Sequence, residues 1–160
     1  MSEEHEQFMR MALDEAAKGK AEGNVAVASV IVKDGAVIAV GRNLAATTFD
    51  PTAHAETVAL REAGKATRQT SFPGCTLYTT FEPCPMCCGA ILICGIDTLV
   101  MGGRPSEGES RWSEYNVENL IRMTGSESKI NVVTGVLVEE CGKLRYSSDP
   151  SALKPYETER

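Results

Sequence analysis

The sequence predicts a three-layer α/β fold in which a five-stranded mixed sheet is covered by helices on both faces. After an initial strand hairpin, segments with helical periodicity alternate with short apolar segments typical of strands. This order is typical of a mixed sheet packed between helices. The 160 residues correspond to one domain of ordinary size. Residues 1–160 are therefore expected to form a single domain whose core needs no disulfides.

The first predicted elements are a helix and a hairpin. Apolar residues recur at helical spacing over Glu3–Lys20, and Gly19 and Gly23 mark the end of this helix. Val25–Val32 is a nearly continuous apolar run, which is typical of a buried strand. Asp34-Gly35 favours a tight turn, so Val37–Gly41 is expected to return antiparallel before a loop over 42–53.

Two helices in the middle of the chain are predicted to follow turns. Asp50-Pro51-Thr52 is typical of a turn that leads into a helix, predicted from about His54 to Gly64. A polar loop over 65–74 precedes a strand predicted over Cys75–Thr80. The next helix, Pro83–Cys94, begins with prolines, which are tolerated in a first helical turn.

The last third of the chain continues the alternation of strand and helix. The same apolar patterning predicts its elements. In order, these are the strand Thr98–Met101, a loop over 102–110, the helix Glu114–Met123, the strand Ile130–Val133, the helix Gly135–Leu144 and a loosely structured tail over 147–160.

The composition excludes several classes of protein. Sixteen basic and 22 acidic side chains give a net charge of -6, and each half of the chain is net negative. Strong nucleic-acid binding through bulk charge is therefore disfavoured, although a local basic patch remains possible. The acidic N-terminus is not a secretory signal, and Val25–Val32 is too short to cross a bilayer. A cytoplasmic protein without membrane contact is expected.

The cysteines and one histidine suggest a metal site. Three of the six cysteines lie within residues 84–88, which in a reducing compartment favours metal binding or catalysis over disulfides. Cys84 and Cys87 are spaced to share one face of a helix and to bind one ion. With His54 they make three protein ligands, leaving a fourth position for water, as in catalytic zinc sites. Cys88, at i+4 from Cys84, is an alternative to Cys87.

Glu56 lies two residues after His54 and is expected to touch the zinc-bound water without ligating the metal. A carboxylate in that position can accept a proton and return it to a leaving amine. The pattern H-x-E followed by P-C-x-x-C is a signature of zinc nucleobase deaminases. The alternative interpretation of these residues is structural, with cysteines filling the core and a histidine that is merely hydrogen-bonded.

The sequence resembles the cytidine-deaminase-like superfamily, in the branch of guanine deaminase, cytosine deaminase and bacterial tRNA adenosine deaminase. Three stretches carry the resemblance: Val32–Gly35, Asp50–Glu56 and Leu77–Ala90. The resemblance implies a homodimer with one zinc ion per subunit. It also implies that Asn43 and a backbone amide, of Ala55 or Cys84, bind the substrate ring.

Other candidate substrate contacts come from departures from that family. Relatives often carry proline and glycine on either side of the position of Val27, where this chain has alanines, and that segment lines the base pocket in the family. Trp112 is a candidate to stack on a ring, and Glu114 is a candidate to accept hydrogen bonds from a guanine-like edge. Their alternatives are an interface anchor and a charge at a helix N-terminus. Tyr156 in the tail is a further candidate to cover a pocket.

The sequence is compatible with three functions. The preferred hypothesis is hydrolytic deamination of a free purine or pyrimidine, guanine- or cytosine-type, with release of ammonia, because the chain is acidic and its tail lacks a basic cluster. The alternative is conversion of adenosine to inosine in tRNA, a partner that the net charge disfavours. The third is a zinc-binding module without catalysis.

Overall fold

The computed structural model describes residues 2–106 and 108–147, in which helices and strands alternate around one sheet. The helices are α1 (Glu3–Ala21), α2 (Ala45–Thr48), α3 (Ala55–Thr67), α4 (Pro85–Ile93), α5 (Val117–Met123) and α6 (Val138–Tyr146). The strands are β1 (Ala28–Lys33), β2 (Ala36–Arg42), β3 (Cys75–Phe81), β4 (Thr98–Gly103) and β5 (Asn131–Val133).

The sheet is mixed and has the strand order β2-β1-β3-β4-β5. β1 pairs antiparallel with both β2 and β3, whereas β3–β4 and β4–β5 are parallel pairs connected through α4 and α5. Asp34 and Gly35 both have positive φ, as the tight hairpin turn requires. The predicted five-stranded mixed sheet is confirmed.

Helices cover both faces of the sheet, as predicted. α1 and α6 pack on one face, and α3, α4 and α5 lie on the other. On the α1 side, Val30, Tyr78 and Val100 meet Phe8 and Met9. On the other side, the strands contribute Ile31, Leu77, Leu99 and Met101 to the larger apolar cluster. Each inner strand thus alternates its side chains between two cores.

Close packing at Gly41 positions α3 against the sheet. A Cβ added to Gly41 would lie 2.6 Å from the carbonyl oxygen of Ala55 and would also collide with the backbone of Ala59. No side chain larger than hydrogen fits there without a backbone shift. The first turn of α3 therefore lies directly on β2.

The segments around the first hairpin differ from the prediction. β1 begins at Ala28, because the N–H of Val27 donates back to the carbonyl of Val25 in a tight turn. The segment after β2 contains the short helix α2, where the sequence predicted a loop. Asn43 stabilises its start by accepting a hydrogen bond from the N–H of Ala45.

Two later helices begin after their predicted starts. α5 begins three residues beyond Glu114, because Asn116 is its N-cap and accepts a hydrogen bond of 2.7 Å from the N–H of Asn119. α6 begins three residues beyond Gly135, because Leu137 has a left-handed backbone conformation.

Residues 148–160, which include Tyr156 and almost all of the predicted tail, lie outside the described residues. Within the described part of the chain, no helix combines the length and the apolar composition that crossing a membrane requires.

Candidate active site

Two helix starts bring the predicted metal ligands together. His54 is the N-cap of α3 and Cys84 is the N-cap of α4, and both have extended backbone. Neither side chain caps its own helix, although N-cap side chains usually do so. Pro85 follows in the first turn of α4, where the missing N–H costs nothing. The imidazole and the thiol are therefore directed away from their helices and toward each other.

The three predicted ligands form one cluster, which we call the metal corner (His54, Cys84 and Cys87). Nδ1 of His54 lies 3.5 Å from Sγ of Cys84 and 3.6 Å from Sγ of Cys87, and all three atoms lie within 4.8 Å of one another. A tetrahedral zinc ion with ordinary bond lengths holds nitrogen and sulfur about 3.6 Å apart. The cluster thus has the dimensions of a zinc site that uses Nδ1.

Cys88 does not belong to this cluster. It is buried and packs in the larger core with Ile91 and Leu77. Its i+4 spacing from Cys84 placed it near the same helical face, but Cys84 precedes the helix as its N-cap. The structure therefore brings Cys87, and not Cys88, to the imidazole.

The metal corner favours an ionised thiol. Hydrogen bonding from the Cys87 thiol, assisted by His54, lowers the pKa of Cys84 to about 4. The same contact with Cys84, together with burial, raises the pKa of Cys87. The hydrogen bond to Cys84 also raises the pKa of His54. A thiolate beside an imidazole is the donor chemistry that zinc prefers.

Glu56 lies in the first turn of α3, behind the metal corner. Its side chain is almost completely buried, with 3% exposed, and Oε1 accepts a hydrogen bond of 2.9 Å from Oγ1 of Thr79. Burial, and then the negative charge of Cys84, raise the pKa of this carboxyl group. A buried carboxyl group with a raised pKa is suited to taking up and releasing protons.

A cavity of about 430 Å³ opens in front of these groups. Of the predicted substrate contacts, Val27, Asn43, Ala55 and Trp112 line it. His54, Glu56 and Cys84 line it as well, so the acid–base group and the metal corner face the same space. Its volume lies in the range of small-molecule sites.

Asn43 has one of its polar atoms already in use. Its side-chain oxygen accepts the hydrogen bond from the Ala45 N–H, at 3.0 Å, and so stabilises the start of α2. The amide NH₂ group supplies donors rather than acceptors. Toward the cavity, Asn43 is thus suited to an acceptor on a ligand.

The opposite side of the cavity is formed by residues 104–106 and 108–116, which we call the facing wall. Trp112 lies in it, with the guanidinium of Arg111 over its ring at 4.4 Å. Glu114 is exposed and lines a separate surface depression. The structure does not bring Glu114 to the cavity, because the chain turns there before the N-cap of α5.

Side chains tie the facing wall to the residues before Cys84. Arg104 pairs with both Glu82 and Glu118, and the two contacts with Glu118 form a fork at 2.8 and 2.6 Å. The hydroxyl of Tyr115 donates to the carbonyl of Pro83. The wall is thus held in place by side chains rather than by a strand or helix of its own.

Sequence reasoning missed the end of α6. Arg145 and Tyr146 line the cavity with Phe81, and the guanidinium lies 5.4 Å from the ring of Phe81 and 5.6 Å from that of Tyr146. Phe81 lies more than 60 positions before Arg145 and Tyr146 in the sequence, so local patterning gives no sign of the contact. Only the packing of α6 beside β3 and β4 brings them together.

Comparison with known proteins gives matches across the fold. Residues 2–103 match the cytidine and deoxycytidylate deaminase zinc-binding region. The chain is 37% identical to the tRNA-specific adenosine deaminase of Bacillus subtilis (strain 168) over 139 residues, covering 87% of this chain and 84% of that protein. It is 49% identical to the guanine deaminase of the same organism over 88 residues, covering 54% of this chain and 56% of that protein.

A solved structure from a study of A-to-I editing by tRNA:A34 deaminases at the wobble position of transfer RNA is also similar. It has a TM-score of 0.74 and 33% sequence identity, and the match covers 86% of this chain and 98% of that chain. The similarity therefore extends over nearly the whole of both folds.

Proposed function

The chain belongs to the cytidine and deoxycytidylate deaminase family of zinc-dependent hydrolytic deaminases, and we propose that its substrate is an adenosine in transfer RNA. The observation that carries this proposal is the similarity to tRNA-specific adenosine deaminase, which spans 87% of this chain and 84% of that enzyme. The tRNA:A34 deaminase structure supports it over a similar share. The net charge favoured a free nucleobase as the substrate, whereas the similarity to these two proteins favours transfer RNA.

Local charge supports the same substrate. Arg111 and Arg145 both line the cavity, and each guanidinium lies over an aromatic ring. Arginine and aromatic side chains are the groups on which proteins stack the unpaired bases of RNA loops. Arg111 and Arg145 thus give the cavity two cationic groups beside aromatic rings, on which an unpaired base can stack, while Glu82 and Glu109 line it as well.

The reaction consumes one water molecule. The carbon that bears the exocyclic amine gains an oxygen, its bond to nitrogen breaks, ammonia leaves, and the carbonyl of inosine remains. Glu56 accepts a proton from the attacking water and delivers it to the departing amine, and the second proton of that water moves to the adjacent ring nitrogen as the carbonyl forms. The burial of Glu56, with 3% of its surface exposed, supports this role because few water molecules can compete for the proton.

His54, Cys84 and Cys87 would hold the single zinc ion of each chain. The ion supplies a Lewis acid that makes water nucleophilic near neutral pH. Val27, Asn43 and Ala55 line the same cavity as His54 and Cys84. The amide of Asn43 is suited to donate to a ring nitrogen or a ribose oxygen of the substrate.

A second candidate is deamination of free guanine. The guanine deaminase of Bacillus subtilis is 49% identical over 88 residues, a higher identity over a shorter stretch. The match to the family region ends at residue 103, immediately before the facing wall. Trp112 in that wall can cover a free purine ring.

We propose that the active protein is a homodimer. One face of α4 is apolar but open to solvent, since Met86 and Ile93, seven residues apart, are 39% and 89% exposed. A second copy of the chain would cover this face. In analytical ultracentrifugation we expect a dimer for the wild type and a monomer for Ile93→Glu, with Met11→Glu on α1, at the opposite face of the sheet, as a control that leaves the dimer intact.

The substrate is tested directly with purified, zinc-loaded protein. A tRNA transcript with adenosine at the wobble position should gain inosine, measured by mass spectrometry of its nucleosides, whereas a transcript with guanosine there should not change. Binding of the transcript should weaken steeply with salt.

A parallel assay measures ammonia release from guanine, cytosine and adenosine. Turnover of guanine without inosine in the transcript would favour the second candidate. A protein that binds zinc fully and turns over none of these substrates would favour the non-catalytic module.

A further inference from the structure

Thr79 in β3 contacts Glu56 from the side of the sheet. The threonine is completely buried, and its hydroxyl oxygen lies 2.9 Å from Oε1 of Glu56 and 3.2 Å from the carbonyl oxygen of Phe81. The hydroxyl has one hydrogen and two possible acceptors. Of the acceptors, the carboxylate is nearer and forms the stronger hydrogen bond. The hydroxyl therefore fixes one of the two oxygens of Glu56.

From this geometry we propose that Thr79 is a positioning residue for the deamination reaction. It holds Oε1 at the sheet so that the second oxygen of Glu56 meets the reacting water and amine in the cavity. The inference rests on the proton-transfer role proposed for Glu56. A flexible glutamate has three rotatable bonds, and without this contact its carboxylate would sample orientations that miss the reacting atoms.

The fold gives Thr79 little freedom of its own. Threonine is branched at Cβ, which limits its χ1 rotamers, and β3 is an inner strand paired on both sides. Thr79 pairs with Ser29 of β1 on one side and with Met101 of β4 on the other. Its carboxylate contact is thus set by the sheet register.

Ser29 provides a matched control. It lies directly opposite Thr79 in the antiparallel pair and is also completely buried. Directly opposed residues project from the same face of a sheet, yet the hydroxyl of Ser29 makes no hydrogen bond. Ser29→Ala thus removes a buried hydroxyl from the neighbouring strand without removing a contact to Glu56.

The experiment compares Thr79→Val, Thr79→Ser, Ser29→Ala and Glu56→Gln in the full zinc-loaded chain. It measures kcat and KM for inosine formation in the wobble-adenosine transcript, or for ammonia release from guanine if that is the substrate. Thr79→Val keeps the shape but loses the hydroxyl. We expect its kcat to fall by about tenfold to a hundredfold, with KM, zinc content and melting temperature near wild type. Thr79→Ser should recover most of the kcat, and Ser29→Ala should match wild type.

Wild-type kcat in Thr79→Val, with Glu56→Gln inactive, would overturn the inference and leave the role of Glu56 intact. Activity in Glu56→Gln would instead reject the role of Glu56 and the inference with it. If Thr79→Val does not fold, the pair Thr79→Ser and Thr79→Ala decides, since equal kcat values in the two would contradict the proposal. A crystal structure of the valine or alanine variant gives a readout free of substrate, and an unmoved Glu56 carboxylate would also contradict it.

Discussion

The metal corner and the facing wall border the same cavity but are held by different means. The corner lies on the first turns of α3 and α4, which pack on the sheet, and Cys87 within it is fully buried. The described residues of the wall form no helix or strand, and many of them are exposed. It is fastened by Arg104 and Tyr115 to the segment that leads into Cys84.

From this difference we expect the metal corner to govern the chemistry and the facing wall to govern the choice of substrate. The corner lies within residues 2–103, which match the deaminase family, and the wall lies entirely outside that match. Reacting groups must be positioned within a few tenths of an ångström, and helices and strands hold them at that precision. Loops, held by their side chains, more often form the surface that contacts the variable part of a substrate. Variants of the two regions should therefore fail in different ways.

The largest effect is expected from removing a ligand in the metal corner. Cys87→Ala should lose zinc, all measurable turnover, and about 4 kcal/mol of unfolding free energy where free zinc exceeds its Kd a thousandfold. Zinc content by elemental analysis and thermal melting measure this. Cys88→Ala, one position along and outside the cluster, should keep its zinc. A fully zinc-loaded Cys87→Ala protein would contradict the ligand set.

The next effect separates metal binding from proton transfer within the corner. Glu56→Gln should lower kcat by about 10²- to 10⁴-fold because the amide cannot accept the proton, while zinc stays bound. Glu62→Gln on the same helix, whose partner is the exposed Lys65, should leave kcat unchanged. Substantial turnover in Glu56→Gln would show that another group carries the proton.

A smaller effect is expected in the facing wall. Tyr115→Phe removes the hydrogen bond to the Pro83 carbonyl, worth about 1 kcal/mol, so KM should rise about fivefold with little change in kcat. Tyr78→Phe is the control, because its hydroxyl meets His5 on the opposite face of the sheet. A loss confined to kcat would mean that the wall acts on the chemistry and not on binding.

The smallest effect concerns acid stability of the wall. The hydrogen bonds from Arg104 lower the pKa of Glu118 from its ordinary value of 4.5. A lowered pKa in the folded state stabilises the protein fully above pH 4.5, and this stabilisation declines as the pH falls below that value. Because the pair is partly exposed, its contribution is under about 1 kcal/mol.

Melting temperatures of wild type and Glu118→Gln, measured from pH 7 down to pH 3, test this. The two curves should differ most near neutral pH and converge in acid. A gap that widens as the pH falls would contradict the assigned direction.

Local sequence signals predicted the corner better than the wall. His54, Cys84 and Cys87 could be predicted as ligands because turn residues and prolines mark the two helix starts, and because two cysteines at i and i+3 can bind one ion. Cys88, at i+4, stayed an alternative until the structure placed it in the core. The position of Glu114 could not, since the capping role of Asn116 moved the start of α5.

Local sequence patterns also could not predict the contacts that depend on tertiary packing. The hydrogen bond between Thr79 and Glu56 joins β3 to α3, and the stack of Arg145 on Phe81 joins α6 to β3. Each depends on strand order and helix placement, which alternating apolar segments indicate only in outline. The five strands were predicted on that basis, but which residues meet across them was not.

The contact of Gly41 with α3 makes the protein intolerant of change at a position that has no chemical function. A methyl group there would force α3 off the sheet and would displace His54 and Glu56 together from the sulfurs on α4. In a saturation mutagenesis screen scored by turnover, codon 41 should therefore be as depleted of substitutions as the codons of the reacting groups. This sensitivity to substitution would come only from the short distance between β2 and α3.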